Sequence, residues 1–332
     1  MTKRENPSCC EKFKTTIGGQ ALIEGIMMRG PKKDAMVVRT AEGLKTEVTD
    51  RKLPPEGSIR TWPFIRGVLG FGGSMITGVK ATMRSAELVP DETEEPSKFD
   101  LWLEKKLGNE KFEKAILSAA VVMGLGFSVL LFFILPMVVS GIVSRWIHHN
   151  LILNLIEGLV RMIIFLVYML LISRMKEMRR TFGYHGAEHK SIRCYEAGLP
   201  LTVENVRSQT RLHPRCGTSF LLVVMVISIL VFSVASSALL ALVPALEAMR
   251  ATLVYKLIMM AFKLLLLPVV VSITYEINRW AGRHDNFVTR ILTAPGLWMQ
   301  KLTTVEPDDE MIEVAICALQ EVLPEKEGDD RW

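Results

Sequence analysis

The chain has 332 residues, of which 49% are hydrophobic, with a net charge of +5 and a mean hydropathy of +0.27. A soluble domain of this length normally carries fewer apolar residues, and here the excess is concentrated in two blocks that are almost free of charge. The composition therefore excludes an ordinary soluble globular protein and indicates an α-helical integral membrane protein with soluble parts.

The N-terminal part of the chain divides into a tail and a small folded unit. Residues 1–16 are typical of a disordered tail, without the apolar segment of a signal peptide. Residues 17–62 predict a small β-rich cytoplasmic unit, because "AMVVRT" and "LKTEVTD" flank a short glycine-containing loop, as in a β-hairpin. Glu24 and Arg29 interrupt the apolar run before this hairpin, and we interpret them as an ion pair that stabilises a turn.

Residues 63–87 predict a helix. Its uncharged stretch from Gly67 to Val79 rises only about 20 Å, short of the roughly 30 Å hydrocarbon core of a bilayer. Small residues recur every four positions on it, so that another helix can approach closely. We expect an interfacial or re-entrant helix, and a buried helix of the soluble unit is the alternative. Residues 88–114 follow as an acidic linker and a lead-in helix.

Four segments match the roughly 20 apolar residues that a transmembrane helix needs: 115–143, 151–172, 218–242 and 253–275. The loop at 173–217 carries nine lysine and arginine residues, whereas the two short connections at 144–150 and 244–252 carry one arginine each. Because basic loops stay in the cytoplasm, we expect this loop and both termini on the cytoplasmic side of the cell membrane. The five cysteines then face a reducing compartment, so disulfides are not expected. They are Cys9, Cys10, Cys194, Cys216 and Cys317.

The region at 276–332 is expected to be cytoplasmic and to end in a helix with one apolar stripe, within "EPDDEMIEVAICALQEVLPE". Glu276 and Arg279 lie where the fourth span meets the cytoplasm. We interpret Glu276 as a carboxylate paired with arginine, and an additional metal ligand is the alternative. His284-Asp285 is a weaker metal candidate.

The clearest chemical signal is "YHGAEHK" at 184–190, in a chain with only six histidines. On a helix that ends near Gly198-Leu-Pro200, His185 and His189 lie one turn apart on the same face and can bind one zinc ion. Glu188 lies between them, where a general base or an orienting carboxylate is expected in the H-x-x-E-H pattern.

A second motif, "HPRCG", adds His213 and Cys216 to the same loop. Four protein ligands would make a structural zinc site, whereas His185, His189 and either His213 or Cys216 would leave a position open for water, as catalysis requires. Without a metal, the histidines would hydrogen-bond headgroups or backbone, and Cys216 would be a small buried thiol.

Charged residues also lie inside the predicted spans. Glu157 and Arg161 are four apart in the second span, as expected for an internal ion pair. In the fourth span Lys256 is near the outer end, where its side chain can reach the interface. Lys263 is deeper and needs a partner, for which Glu157 is a candidate.

Several segments together resemble the YqhQ-like family of bacterial polytopic membrane proteins of unknown function. They are "GGQALIEGIMMRGP", "RGV", "YHGAEHK", "HPRCGTSF", "YEINRWAGRHDN", "APGLWMQKLTT" and "EPDDEMIEVAICAL". The match covers about residues 17–323. Because this family is described as predicted metal-dependent enzymes, the resemblance implies a membrane protein with a metal site and names no reaction.

We therefore expect a multi-pass membrane protein with a divalent metal, zinc, at the cytoplasmic face, and metal-dependent hydrolysis with Glu188 as base. The first alternative is a non-enzymatic assembly or regulatory factor with a structural metal. The second is a transporter subunit, which four spans without a repeat argue against. The expected partners are the lipid bilayer and other membrane proteins. Nucleic acid is not expected, because the positive charge is explained by the loop bias.

Overall fold

The computed structural model describes residues 13–51, 55, 57–89, 109–147, 149–250, 252–284, 286–326 and 328–331. Most of the predicted tail at 1–16 and of the predicted acidic linker at 88–114 lies outside the described residues. The chain divides into two compact units. The first comprises residues 1–89, 169–227 and 267–332, and the second comprises 90–168 and 228–266.

A four-stranded antiparallel sheet forms from consecutive strands: β1 Gly18–Leu22, β2 Gly25–Arg29, β3 Lys33–Thr40 and β4 Gly43–Asp50. The predicted hairpin is present as β3 and β4, which pair from Thr40↔Gly43 to Lys33↔Asp50. Gly43 has φ +125°, a backbone conformation that favours glycine, so this residue makes the tight connection. The predicted β-containing N-terminal unit is confirmed.

The helices, in chain order, are α1 Ile65–Leu88, α2 Asn109–Val129, α3 Leu135–Val143, α4 Asn150–Ile172, α5 Lys176–Glu196, α6 Val203–Arg207, α7 Gly217–Leu242, α8 Pro244–Ala248, α9 Leu253–Arg283, α10 Phe287–Thr303 and α11 Asp309–Val322. A π-helical segment, Leu130–Ile134, joins α2 to α3, and a 3-10 turn, Ile59–Thr61, precedes α1. The predicted terminal helix is α11, which begins after the N-cap Asp308.

Four stretches of helix are long and apolar enough to cross a membrane: Val121–Val143, Leu151–Ile172, Phe220–Leu242 and Leu253–Arg283. They overlap the four predicted spans. The first begins at Val121 rather than at residue 115, the third begins at Phe220 rather than at residue 218, and the last continues to Arg283 rather than ending at Tyr275. Among the described residues, α1 is not one of these stretches. The protein is thus mostly helical, with four apolar helices typical of a membrane protein.

The core of the first unit has three layers. Residues of β2 and β3 are buried on both faces of the sheet, as expected for central strands. On one face, Ile26 and Val37 pack with residues of α5 and α11 such as Tyr184 and Ile312. On the other face, Met36 and its neighbours pack with Ala81 of α1. Each fully buried large apolar side chain contributes about 1.5–3 kcal/mol, so this core fixes α5 firmly on the sheet.

The predicted ion pair between Glu24 and Arg29 is wrong. The two residues stand at opposite ends of β2, which separates them by about 17 Å of extended chain. The Glu24 carboxylate instead pairs with Arg180 of α5 and accepts a hydrogen bond from the Tyr184 hydroxyl (3.1 Å). Arg29 pairs with Asp34 across the β2–β3 turn (3.1 Å). Glu24 therefore ties the first turn of the sheet to α5.

In the second unit, the predicted intramembrane charges form one cluster. Glu157 and Arg161 pair at 3.0 Å on α4. Lys263 of α9 donates to both oxygens of the Glu157 carboxylate, at 2.6 and 2.7 Å, as predicted. Arg161 also donates through Nε to the carbonyl of Phe132 (2.7 Å), which lies in the π-helical segment between α2 and α3.

Candidate metal centre

Helix α5 holds the "YHGAEHK" motif inside the first unit, where residues 182–192 are all buried. Two glycines allow the close packing. A Cβ at Gly186 would meet the carbonyl oxygen of Val305, and one at Gly183 would lie 2.6 Å from the Met311 sulfur. The Val305 amide also donates to the carbonyl of Phe182 (2.9 Å). The glycines therefore let the segment after α10 lie directly against the helix that carries the histidines.

His185, His189 and Cys216 come together, with one potential ligand atom from each lying within 4.8 Å of the other two. The His185 and His189 rings are 4.4 Å apart between centroids. His185 Nε2 lies 3.2 Å from the Cys216 sulfur. Zinc bonds of about 2.0–2.3 Å in tetrahedral geometry place ligand atoms roughly 3.3–3.8 Å apart, so the three groups fit one ion with a small adjustment.

Backbone carbonyls fix the orientation of both imidazoles. Nδ1 of His185 lies 2.8 Å from the carbonyl oxygen of Thr303, and Nδ1 of His189 lies 2.6 Å from that of Arg211. Because a carbonyl only accepts, each Nδ1 must carry a proton, which leaves the lone pair on Nε2 when the ring is neutral. Metal-binding histidines are held in this way by their other nitrogen.

The Nε2 atom of His189 is the decisive atom of the cluster. It is buried and has no partner within ordinary hydrogen-bond geometry among the described residues, although the Cys216 sulfur lies close enough to interact with the ring. A buried polar atom without a partner costs about 1–3 kcal/mol, so native structures rarely leave one unless an unseen ligand satisfies it. The donor set of two imidazoles and one thiolate is one that zinc prefers. The residues present therefore fit a divalent metal.

Glu188 is buried beside this cluster and is not one of its three ligands. Gly19, at the start of β1, lies against its carboxylate, and its amide lowers the pKa of Glu188 slightly against the effect of burial. A Cβ at Gly19 would lie 2.9 Å from the carboxyl carbon of Glu188, so only glycine permits this approach. The Oε2 oxygen of Glu188 is buried without a hydrogen bond among the described residues. Burial raises the pKa of Glu188, as a proton acceptor working near neutral pH requires.

The electrostatics of the cluster favour a thiolate. Burial raises the pKa of Cys216, but His189 and His185 outweigh this and hold it well below its usual value. Burial likewise lowers the pKa of His185, and the charge and hydrogen bond of Cys216 raise it to about 9. The pair therefore shares one proton near neutral pH, with the negative charge on sulfur, which is the form that binds metal.

His213, the fourth predicted ligand, lies outside the three-residue cluster although its ring is 5.7 Å from that of His189. Its Nε2 lies 3.2 Å from Oε2 of Glu196, which also pairs with Arg215. Burial lowers the pKa of His213 to about 4, so a neutral ring donates its proton to Glu196. The Gln300 side chain holds the His213 backbone at two points. Its Oε1 accepts a hydrogen bond from the His213 amide (2.8 Å), and its Nε2 donates to the His213 carbonyl (2.7 Å). His213 thus anchors the loop beside the cluster.

Comparison with known proteins identifies the family. The profile of the family described as "Protein of unknown function (DUF1385)" matches residues 62–325. This chain belongs to the DUF1385 family. It is 32% identical over 320 residues to "Uncharacterized protein YqhQ" of Bacillus subtilis (strain 168), which covers 94% of this chain and 93% of that protein. No solved structure matches. The resemblance found in the motifs is confirmed, and the family's description assigns no function.

Other predicted site residues of this DUF1385 protein have structural partners. Glu276 pairs with an arginine, as expected, but that arginine is Arg66 at the start of α1. The Nε atom of Arg66 lies 2.7 Å from Oε1 of Glu276. The adjacent Arg279 is not the partner, because α1 packs against α9 here and Gly67 lies directly against Tyr275. His284, which directly follows α9, bonds the carbonyl of Trp280 in the last turn of that helix (2.9 Å), and Asp285 lies outside the described residues.

Sequence reasoning missed the residues that position the ligands. Lys190 and Arg193 of α5 donate to the carbonyls of Arg207 (3.0 Å) and Leu212 (2.7 Å) and so hold the loop that carries Cys216. Lys190 belongs to "YHGAEHK", so its place in the motif was the available signal. The Thr303 and Arg211 carbonyls could not be recognised from the sequence, because main-chain atoms are the same at every position.

Proposed function

We propose that this protein is a multi-pass membrane protein with cytoplasmic termini that binds a divalent metal, zinc, through His185, His189 and Cys216, and that it catalyses hydrolysis there. The observation that carries the proposal is the buried, unpaired Nε2 of His189 beside His185 Nε2 and the Cys216 sulfur. Three protein ligands leave one position open, as in catalytic rather than structural zinc sites.

The chain's own residues supply the remaining groups for hydrolysis. A bound zinc ion would supply Lewis acidity, which allows a water molecule to lose a proton near neutral pH. The free Oε2 of Glu188 accepts that proton, while Gly19 packs against the carboxylate and leaves room for it. The water oxygen bonds to the substrate centre, the bond to the leaving group breaks, and Glu188 returns the proton to the leaving group.

Metal analysis of the purified full chain tests the metal site. We expect about one zinc per chain in the wild type and near-complete loss in His189→Ala and Cys216→Ser. Matched controls are His149→Ala, at an exposed histidine, and Cys317→Ser, outside the cluster. Equal metal content in His189→Ala and the wild type would refute the site.

Glu188→Gln tests the catalytic role separately. The amide keeps the shape but cannot take a proton, so we expect zinc content to stay at the wild-type level. In a strain that lacks the protein, the same variant should fail to restore the wild-type phenotype, because losing a general base typically slows a reaction 10²–10⁴-fold. Full restoration would reject hydrolysis with Glu188 as base and favour the structural role of the metal.

The short contact between His185 and Cys216 also favours a second candidate, a nucleophilic cysteine activated by histidine. Here the thiolate would attack the substrate directly, without metal. This mechanism leaves the unpaired His189 Nε2 unexplained, and for that reason we rank it second. Alkylation distinguishes the two: a zinc-bound Cys216 should react slowly with iodoacetamide until a chelator is added, whereas an activated free thiolate should react fast in both conditions.

A further inference from the structure

A cavity of about 1330 Å³ lies in the first unit, and Cys216 is one of its lining residues. Its volume exceeds the roughly 300–1,000 Å³ of most small-molecule sites. Because Cys216 is also a ligand in the proposed metal site, a molecule in this cavity would contact the edge of that site. The chemistry of the walls therefore indicates what kind of molecule the protein binds there.

The charges on the cavity wall are of one sign. Eight lining residues are lysine or arginine, and none is aspartate or glutamate. Some of these charges are compensated by carboxylates behind the wall. Asp34 pairs with Arg29 (3.1 Å) and Arg51 (3.5 Å), and Glu196 pairs with Arg215. The compensation is incomplete, however.

Two arginines on α9 line the cavity without a salt bridge of their own among the described residues, although Glu276, which Arg66 holds, lies near Arg279. Arg279 and Arg283 line the cavity one helical turn apart, and neither forms a salt bridge with any residue that the structure describes. The one carboxylate on α9, Glu276, is held by Arg66. Like charges at this spacing repel each other. An anion between them would relieve that repulsion, and two guanidinium groups match the geometry of a phosphate.

Another part of the wall is apolar. It includes Phe71, Met75 and Val79 of α1, with Phe220 and Leu221 at the start of α7. Met75 is 56% exposed and Val79 is 54% exposed, although both lie inside a concave surface. The Phe71 and Phe220 rings pack with centroids 5.6 Å apart and continue the apolar surface. Exposed apolar side chains of this extent mark a surface for an apolar ligand.

We propose that this cavity binds an anionic phosphate-bearing lipid, with its headgroup on Arg279 and Arg283 and its chains along Met75 and Val79. Both walls lead directly into apolar spans, since α7 begins next to Cys216 and α9 ends at Arg283. A lipid can therefore enter from the bilayer. The claim that this lipid is the substrate of the metal centre rests on the function proposed above. The claim that the lipid binds in the cavity rests on the cavity alone.

Native mass spectrometry of the full chain in detergent tests the proposal with three probes. They are dioleoyl phosphatidate, dioleoyl phosphatidylcholine with the same chains but no net charge, and glycerol 3-phosphate without chains. We expect phosphatidate to bind at least about tenfold more tightly than either control. Arg279→Gln/Arg283→Gln should weaken phosphatidate binding by about tenfold or more, the loss typical for hydrogen bonds to a charged group.

The matched control is Arg174→Gln/Arg179→Gln, which removes two exposed arginines from the basic 173–217 segment without touching the cavity. Equal loss in both double variants would reduce the effect to general surface attraction and overturn the proposal. Equal binding of glycerol 3-phosphate and phosphatidate would identify the ligand as a soluble phosphate compound and overturn the lipid assignment.

Val79→Asp tests the apolar wall without altering the arginines. The added negative charge should weaken phosphatidate binding by about tenfold, and unchanged binding would place the chains elsewhere. His189→Ala separates this inference from the proposed function. It should lose zinc and keep wild-type phosphatidate binding, so failure of the metal site leaves the lipid site standing. Phosphatidate binding that disappears with the metal would contradict a site that rests on the cavity alone.

Discussion

Two of the buried polar clusters among the described residues differ in how completely their atoms are paired. In the Glu157 cluster, one carboxylate receives Lys263 and Arg161, and Arg161 also bonds a backbone carbonyl. In the His185 cluster, the Glu188 Oε2 and His189 Nε2 atoms are buried without partners in the described chain. The first arrangement pairs its carboxylate and both cations, whereas the second leaves two polar atoms that a ligand could satisfy. Unpaired atoms beside a thiolate and a second imidazole, rather than buried charge, thus mark the candidate metal site.

The largest effect is expected where the complete cluster is broken. Glu157→Ala leaves Lys263 and Arg161 buried without a carboxylate, which should lower the free energy of unfolding by about 3–5 kcal/mol. Thermal unfolding in detergent measures the change, and the exposed Glu321→Ala should stay within about 0.5 kcal/mol. A loss below about 1 kcal/mol in Glu157→Ala would show that this cluster is not a buried ion group.

A double variant sharpens this test. Glu157→Gln/Lys263→Met removes the carboxylate together with one of its two cations. We expect it to recover part of the stability that Glu157→Gln alone loses, because fewer buried charges remain unpaired. Zinc content should be the same in all these variants as in the wild type, since only the second cluster needs a ligand.

The second prediction concerns metal removal. A ligand at a free concentration about 100 times its Kd stabilises the folded state by about 2.7 kcal/mol. A chelator should therefore lower the thermal stability of the wild type by about this amount. The same chelator should leave His189→Ala unchanged, because that variant has no complete site. A destabilisation of equal size in both proteins would mean that the chelator acts elsewhere.

The local parts of this structure could be predicted from sequence, and the long-range parts could not. Apolar runs give the four long helices, and the i, i+4 spacing places His185 and His189 on one face. "HPRCG" offers His213 and Cys216 equally, and only the fold turns His213 to Glu196. The orientation of His213 depends on the contact between Arg215 and Glu196, which the local sequence pattern does not predict.

The third prediction concerns the packing that holds the metal ligands in place. Gly186→Ala puts a methyl group against the Val305 carbonyl, which cannot move without displacing Thr303, the acceptor for His185. Such overpacking costs about 1–3 kcal/mol. We expect a loss of stability in this range together with weaker zinc binding. Gly217→Ala, where a Cβ meets nothing within 4 Å, is the control. Normal zinc affinity in Gly186→Ala would show that the Thr303 contact does not position His185.

The smallest effect is a pH dependence of metal affinity. Cys216 and His185 share one proton in the metal-free protein, and the pKa of His185 is raised to about 9. Zinc needs both groups deprotonated, so binding at about pH 7 must release one proton. The Kd should therefore fall about tenfold for each pH unit between about 7 and 9, and then level off, because the proton is already lost above the pKa. Calorimetry in buffers of different ionisation enthalpy counts the released proton directly.

In Cys216→Ser the remaining imidazoles would hold no shared proton, so the residual affinity should change little above about pH 7. A wild-type affinity that is flat over this range would mean that the thiolate and imidazole do not share a proton, and that the two groups are not joined at one site.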